Sequence, residues 1–222
     1  MVRGIPLIRT KSADRIKTFR EGYVYCKRLQ YYIDLERETG DRIVGDEWEA
    51  SLPIRDAIIY IPEEGFVQQV KDTAIPFTVT NNFVLCMTGC KVPKDAVNHS
   101  LVSDEIVNYG DTSLVITDRD EFIKRLQKGA TDKGFHMVKQ GFVNYYDDKA
   151  DNIWMIQDVI NDSSNIAFWK RKRYERDSEY RFLFAGDTDR DHIKFPIGDI
   201  SDISVVVNSS QIHKACVKYA DE

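Results

Sequence analysis

Few of the residues that build specialised scaffolds occur in this chain. Its 222 residues include 4 Cys, 6 Pro and 12 Gly, too few for a disulfide-stapled, collagen-like or low-complexity protein. No apolar run approaches the roughly 20 residues that cross a bilayer, so no membrane partner is expected. The opening Met-Val-Arg-Gly-Ile-Pro lacks the apolar core and small-residue cleavage site of a secretory signal, which points to the cytoplasm. Neither charge sign dominates: 31 Lys and Arg stand against 36 Asp and Glu, interspersed, for a formal charge of −5. That balance disfavours duplex nucleic acid and leaves only a local basic patch open. Nucleotide-binding glycine loops, H-E-x-x-H and G-x-S-x-G are all missing, which removes the commonest dehydrogenase, P-loop, zincin and serine hydrolase readings.

The four cysteines, Cys26, Cys86, Cys90 and Cys216, lie in apolar or β-like stretches, as reduced core thiols do. Cys86 and Cys90 form a C-x3-C pair, but His99, His136, His192 and His213 supply no second paired motif, and no metal is expected. The chain is 42% apolar and 30% charged, with 11 Tyr and 11 Phe, a composition that folds throughout.

Local patterns predict a strand at residues 6–10, a helix capped by Thr10 or Ser12 through Phe19 with Gly22 ending it, and a strand at 23–27. An aromatic cluster (Tyr31, Tyr32, Ile33, Leu35) then enters a charged segment at 36–41 that reads as a surface loop. Apolar runs at 57–61 and 77–86 read as strands. Asp118, with Glu121 three positions later, opens a helix that places Phe122 and Leu126 on one face and stops at Gly129. A strand follows at 141–146, then a helix at 153–160 with Trp154 and Ile160 partly buried. Strands at 180–184, 192–196 and 203–207 and a helical tail from Ser209 complete the chain. Short strands interrupted by helices, without βαβ alternation or repeats, predict an α+β fold: a mixed, mostly antiparallel sheet flanked by helices in one domain over residues 1–222.

Two blocks carry candidate chemistry. Within residues 9–49, Arg42, Gly45, Asp46, Trp48 and Glu49 combine a turn with an arginine, acids and an indole. They read as a binding loop, or as a charged loop that Trp48 anchors on the core. In the second block Lys170, Arg171, Lys172 and Arg173 precede Glu179, which opens a strand and shares one face of it with Arg181. The cations could supply a local anion site, or could be a solvated loop with Glu179 paired to a neighbouring arginine. Tyr23, Tyr25, Tyr31 and Tyr32 read first as packing residues.

On these blocks the sequence resembles a broad family of functionally uncharacterised bacterial and phage proteins. In that family an R-x2-G-D-x2-E-like loop follows an early strand, and a K-x-Y, E-Y-R element closes the pattern. Here the closing element is Lys172, Tyr174, Glu179, Tyr180 and Arg181; residues 109–116, Phe122 and 141–145 are similar to the family's strand, capped helix and strand. The resemblance implies a phage or mobile-element protein acting in a bacterial host cytoplasm. At the level of fold the chain also resembles ADP-ribosyltransferases, whose order is a first strand with His or Arg, a helix ending in glycine, a second strand with a hydroxyl residue and a late strand introduced by glutamate.

That likeness implies an NAD pocket in which Arg9 holds a pyrophosphate or ribose and Tyr25, Tyr31 or Tyr32 stacks on nicotinamide, with Arg181 beside the site. Glu179 would meet the ribose hydroxyl and stabilise the oxocarbenium-like charge. NAD would be the substrate and a host macromolecule the acceptor. The H-x-[ST] and S-x-S signatures of those enzymes do not accompany these positions. The competing expectation is a non-catalytic inhibitor that binds a host protein through an acidic, aromatic surface of Asp46, Trp48 and Glu49. A metal-dependent nuclease using Asp46, Glu49 and Glu179 is disfavoured, since no acid-x-Lys spacing accompanies them.

Overall fold

A computed structural model describes residues 5–90, 102–150, 152–212 and 214. Cys216, His99, His213 and the tail beyond 214 lie outside them. In chain order the elements are β1 (Leu7–Lys11), α1 (Ala13–Arg20), β2 (Tyr23–Arg28), α2 (Leu29–Thr39), β3 (Ser51–Ile61), β4 (Phe66–Pro76), β5 (Phe83–Gly89), β6 (Thr112–Ile116), α3 (Arg119–Thr131), β7 (His136–Phe142), β8 (Asn144–Tyr146), α4 (Ile153–Asn161), β9 (Trp169–Arg171), β10 (Glu179–Ala185), β11 (His192–Pro196), β12 (Ser204–Asn208) and α5 (Ser209–Ile212). Short 3-10 turns punctuate them. The fold is α+β, with a mostly antiparallel sheet flanked by helices. Two compact units form: residues 1–27, 83–143 and 174–222 make one, and 28–82 and 144–173 the other. The breaks at 27/28, 82/83, 143/144 and 173/174 lack the Gly-, Pro- or Ser-rich stretch that marks a linker in sequence.

The first unit holds an eight-stranded sheet, running β11-β2-β5-β1-β6-β12 with β10 on β5 and β7 on β10. Alternation of side chains along β1 sends Leu7 to one face and Ile8 to the other. The Leu7 face carries the main core, where Ile16 and Phe19 of α1 and Phe122 and Leu126 of α3 pack on Leu114, Phe182 and Phe195. The Ile8 face carries a smaller cluster with Cys90, Val102, Ile106 and Ile212. The Asp118 carboxylate accepts from the Glu121 N–H at 3.1 Å, the expected cap of α3. The helix does not stop at Gly129 but runs through it to Thr131. A Cβ at Gly129 would stand 2.3 Å from the Pro196 carbonyl oxygen, so this glycine is a contact point rather than a terminator.

In the second unit the charged segment read as a loop is helical instead. Leu29, Ile33 and Glu36 recur at helical spacing on the buried stripe of α2, which ends at Gly40. Strands β3 and β4 form a long antiparallel hairpin from Ser51↔Pro76 to Ile61↔Phe66. The strand expected at 77–86 begins only at Phe83, because 78–81 turn as a 3-10 helix. The polar Gln68-Gln69 and Lys71-Asp72-Thr73 conceal β4 in the sequence. Strands β8 and β9 pair in parallel, Tyr146 opposite Arg171. Helix α4 turns Met155 and Val159 inward and leaves Trp154 83% and Ile160 71% exposed, which reverses the sequence assignment of its faces.

Candidate functional site

The loop at 42–49 and the cations Arg171 and Arg173 meet in the second unit, as partners of each other. Turns at 42–44 and 47–50 flank Gly45 and Asp46. Gly45 lies so close to α2 that a Cβ would stand 2.6 Å from the Glu36 backbone nitrogen. The Arg171 guanidinium, at the end of β9, donates to Asp46 Oδ1 through Nε at 2.9 Å and Nη2 at 2.5 Å, and through Nη2 to Glu36 Oε2 at 2.8 Å. Arg173 donates to Glu36 Oε1 at 2.8 Å, Arg42 lies 3.1 Å from the same oxygen, and the Glu47 N–H donates to Oε2 at 2.7 Å. Trp48 covers the cluster with its ring centroid 5.3 Å from the Arg171 guanidinium carbon.

Burial corrects the surface readings of both blocks. Asp46 and Glu49 are each 1% exposed, so they do not form an acidic face for a partner around Trp48, and Lys170 and Arg171 are each 6% exposed rather than solvated. Desolvation, reinforced by the charge of Glu49, pushes the Asp46 carboxyl above the usual carboxylate range. Glu36 moves the other way: burial opposes its charge, but the Arg173 hydrogen bond, the Glu47 N–H and the Arg171 charge hold it below its ordinary value. Asp46 Oδ2 and the Tyr146 hydroxyl are buried with no hydrogen-bond partner among the described residues. Burial and the Asp46 charge push the Tyr146 phenol upward.

Transferase candidates in the first unit are placed on the two faces of its sheet. Arg9 shares the face of Leu7, donates to the Cys86 carbonyl and lies 5.9 Å from the Phe19 ring centroid. Glu179 stands opposite Thr88, which stands opposite Ile8, on the other face. There Arg181 Nε donates to Glu179 Oε1 at 2.6 Å, with 2% and 8% of the two side chains exposed. Arg9 and Glu179 therefore do not converge on one concavity, because residues of opposite parity along paired strands face opposite ways. Tyr25, also turned away from the main core, stacks on His192 with centroids 4.9 Å apart. Tyr31 and Tyr32 belong to α2, their rings edge to face at 5.4 Å. Two non-glycine residues with left-handed backbones, Ala50 (φ 50°) and Ser178 (φ 44°), directly adjoin Glu49 and Glu179.

A cleft of about 770 Å³ opens elsewhere in the first unit, between Lys11, Ser12 and Arg15, residues 107–111 and residues 208–210. Sheet register builds it, setting Lys11, Thr112 and Asn208 in one row across β1, β6 and β12. Behind that row the hydroxyls of Thr10, Ser113 and Ser209 are hydrogen-bonded in series at 2.7 and 2.9 Å. Lys11 is partly buried, with its ammonium 5.8 Å from the Tyr109 ring centroid and no carboxylate in ion-pair reach among the described residues. Burial, with the charges of Arg9 and Arg15, lowers its pKa to about 8. Ser12 occupies the N-cap position of α1 but makes no capping hydrogen bond. Asp111 is the carboxylate in the lining.

Sequence reading missed this cleft, having treated Ser12 only as a cap. The legible signal was a lysine and a serine at a strand-to-helix junction with an arginine one turn later, where free N–H groups and cations gather. Comparisons with family models, with curated proteins and with solved structures find no match to this chain.

Proposed function

We propose that the protein binds a phosphate-bearing small molecule of the nucleotide class, NAD among them, in the cleft of Lys11, Ser12 and Arg15. The observation that carries this reading is the Lys11 ammonium, held partly buried beside Arg9 and Arg15 with no carboxylate in ion-pair reach among the described residues. Such crowding costs free energy in the empty protein, and an anion relieves it. The first turn of α1 presents backbone N–H groups toward the same place, Ser12 and Ser210 add hydroxyls, and Tyr109 adds a ring. The volume, about 770 Å³, suits a nucleotide. Asp111 sets a limit on the charge that can settle at its end of the cleft and favours a ligand with its phosphates toward Arg15.

Titration calorimetry with ATP, NAD and inorganic pyrophosphate tests the reading. Binding that weakens at least about tenfold, a loss of 1.4 kcal/mol, in Lys11→Met and in Arg15→Ala supports it. No binding of any probe, or binding indifferent to both substitutions, ends it. Nicotinamide release from NAD that disappears in Glu179→Gln but survives Lys11→Met would return the chemistry to the late-strand glutamate.

A further inference from the structure

Three lysines of the first unit keep a carboxylate beside them: Lys27 lies 3.1 Å from Asp191, Lys124 3.7 Å from Glu121 and Lys128 2.5 Å from Asp132. Lys11 is placed differently. It ends β1 inside the cleft, partly buried, with its Nζ 5.8 Å from the Tyr109 ring centroid and the cations Arg9 and Arg15 acting on its charge. Burial and those two cations leave roughly a tenth of it as free amine at pH 7, about 300-fold more than an ordinary lysine provides.

A site that only held phosphate would be better served by a further arginine, whose charge survives desolvation. Here two roles are divided between neighbours. Arg15, in the first turn of α1, stays charged, and Ser12, which spends no hydroxyl on capping, stands with the N–H groups of that turn. Lys11 adds an amine in the setting that makes lysine a nucleophile, desolvated and next to other cations.

We infer that Lys11 bonds the ligand of this cleft as an imine, and that the ligand is a phosphate-bearing aldehyde or ketone. The inference rests on the phosphate-binding reading of the same cleft and narrows it: among nucleotides it selects those with a free anomeric carbon, whose ring opens to an aldehyde. The neutral nitrogen adds to the carbonyl carbon, and a proton passes from nitrogen to oxygen to give a carbinolamine. The C–O bond then breaks, one water leaves and the C=N bond forms. Nothing is oxidised or reduced, and no co-reactant enters. Ser12, Ser210 and Asp111 line the cleft as groups able to relay the proton. An imine nitrogen is a weaker base than an amine, so the bond removes the charge that burial and the two arginines oppose.

Pyridoxal phosphate, a phosphate-bearing aldehyde, is the probe, and borohydride reduction fixes the imine on the wild-type protein for peptide mapping by mass spectrometry. With probe below one equivalent, the adduct on Lys11 should exceed that on any other lysine at least about tenfold. It should fall about tenfold when excess inorganic pyrophosphate is present, or when pyridoxal, which lacks the phosphate, replaces the probe. Labelling spread evenly over the lysines, or a Lys11 adduct indifferent to pyrophosphate and to the missing phosphate, overturns the inference. Calorimetric binding of pyrophosphate without an adduct on Lys11 also overturns it and leaves the anion site standing, whereas absence of both ends the two readings together.

Discussion

Arg171 holds two buried carboxylates at once, and its removal would leave Asp46 and Glu36 in low dielectric without their shared counter-charge. We expect Arg171→Ala to lower the unfolding free energy by about 3–5 kcal/mol in urea titrations. Lys11 poses the opposite case. Its folded pKa of about 8 lies below the ordinary 10.5, so the folded state binds fewer protons in that interval and stability rises with pH across it. Lys11→Met should therefore raise the melting temperature of the unliganded protein at pH 7, with the gain vanishing above pH 10.5. Ligand affinity should fall as pH climbs through about 8, where Lys11 loses its charge. At this scale the sequence marked Asp46, Arg171 and Glu179 as residues of interest but not their roles. Asp46 and Arg171 are 125 positions apart, and periodicity reports nothing about partners at that distance. Glu179 and Arg181 were legible because two positions on a strand share a face.

Elements were most readable where a local interaction determines them. The Asp118 cap of α3 needs only residues within one turn, and it forms. Gly129 misled because a glycine near a helix end has two explanations, a stop or a close approach, and only the neighbouring backbone chooses between them. Gly129→Ala would force its methyl to within 2.3 Å of the Pro196 carbonyl oxygen, a main-chain atom that cannot swing aside. We expect a destabilisation of about 1–3 kcal/mol by thermal or chemical unfolding, despite the better helix propensity of alanine. Helix α4 shows a different ambiguity: Ile153, Trp154, Met155, Ile156, Val159 and Ile160 offer two apolar stripes, and the sequence does not say which one finds a core. In α2, the acidic run hid a helix because Glu36 takes a core position on the strength of its arginine partners.

For the whole molecule, acid stability is set partly by the ion cluster. Glu36 is held below its ordinary 4.5, so it contributes stability above that value and the contribution is lost as pH falls through its lowered pKa. Asp46, pushed upward, contributes the opposite slope, since the fold disfavours its ionisation. Glu36→Gln should lower stability at pH 7 and flatten the decline of unfolding free energy on acidification, measured by urea midpoints from neutral pH downward; an unchanged acid limb would remove Glu36 from that role. The α+β class followed from the sequence alone, because strand and helix patterns are local and their irregular alternation excludes a regular parallel sheet. So did the capped helix and the glutamate at the head of β10. Tertiary structure alone decided that the chain divides into two units, that the two charged motifs neutralise each other, and that Arg9 and Glu179 face apart. It also gathered Lys11, Arg15 and Asn208 around one cleft. Those outcomes depend on which strands become neighbours and in what register, and pairing between distant segments leaves no trace in the local order of residues.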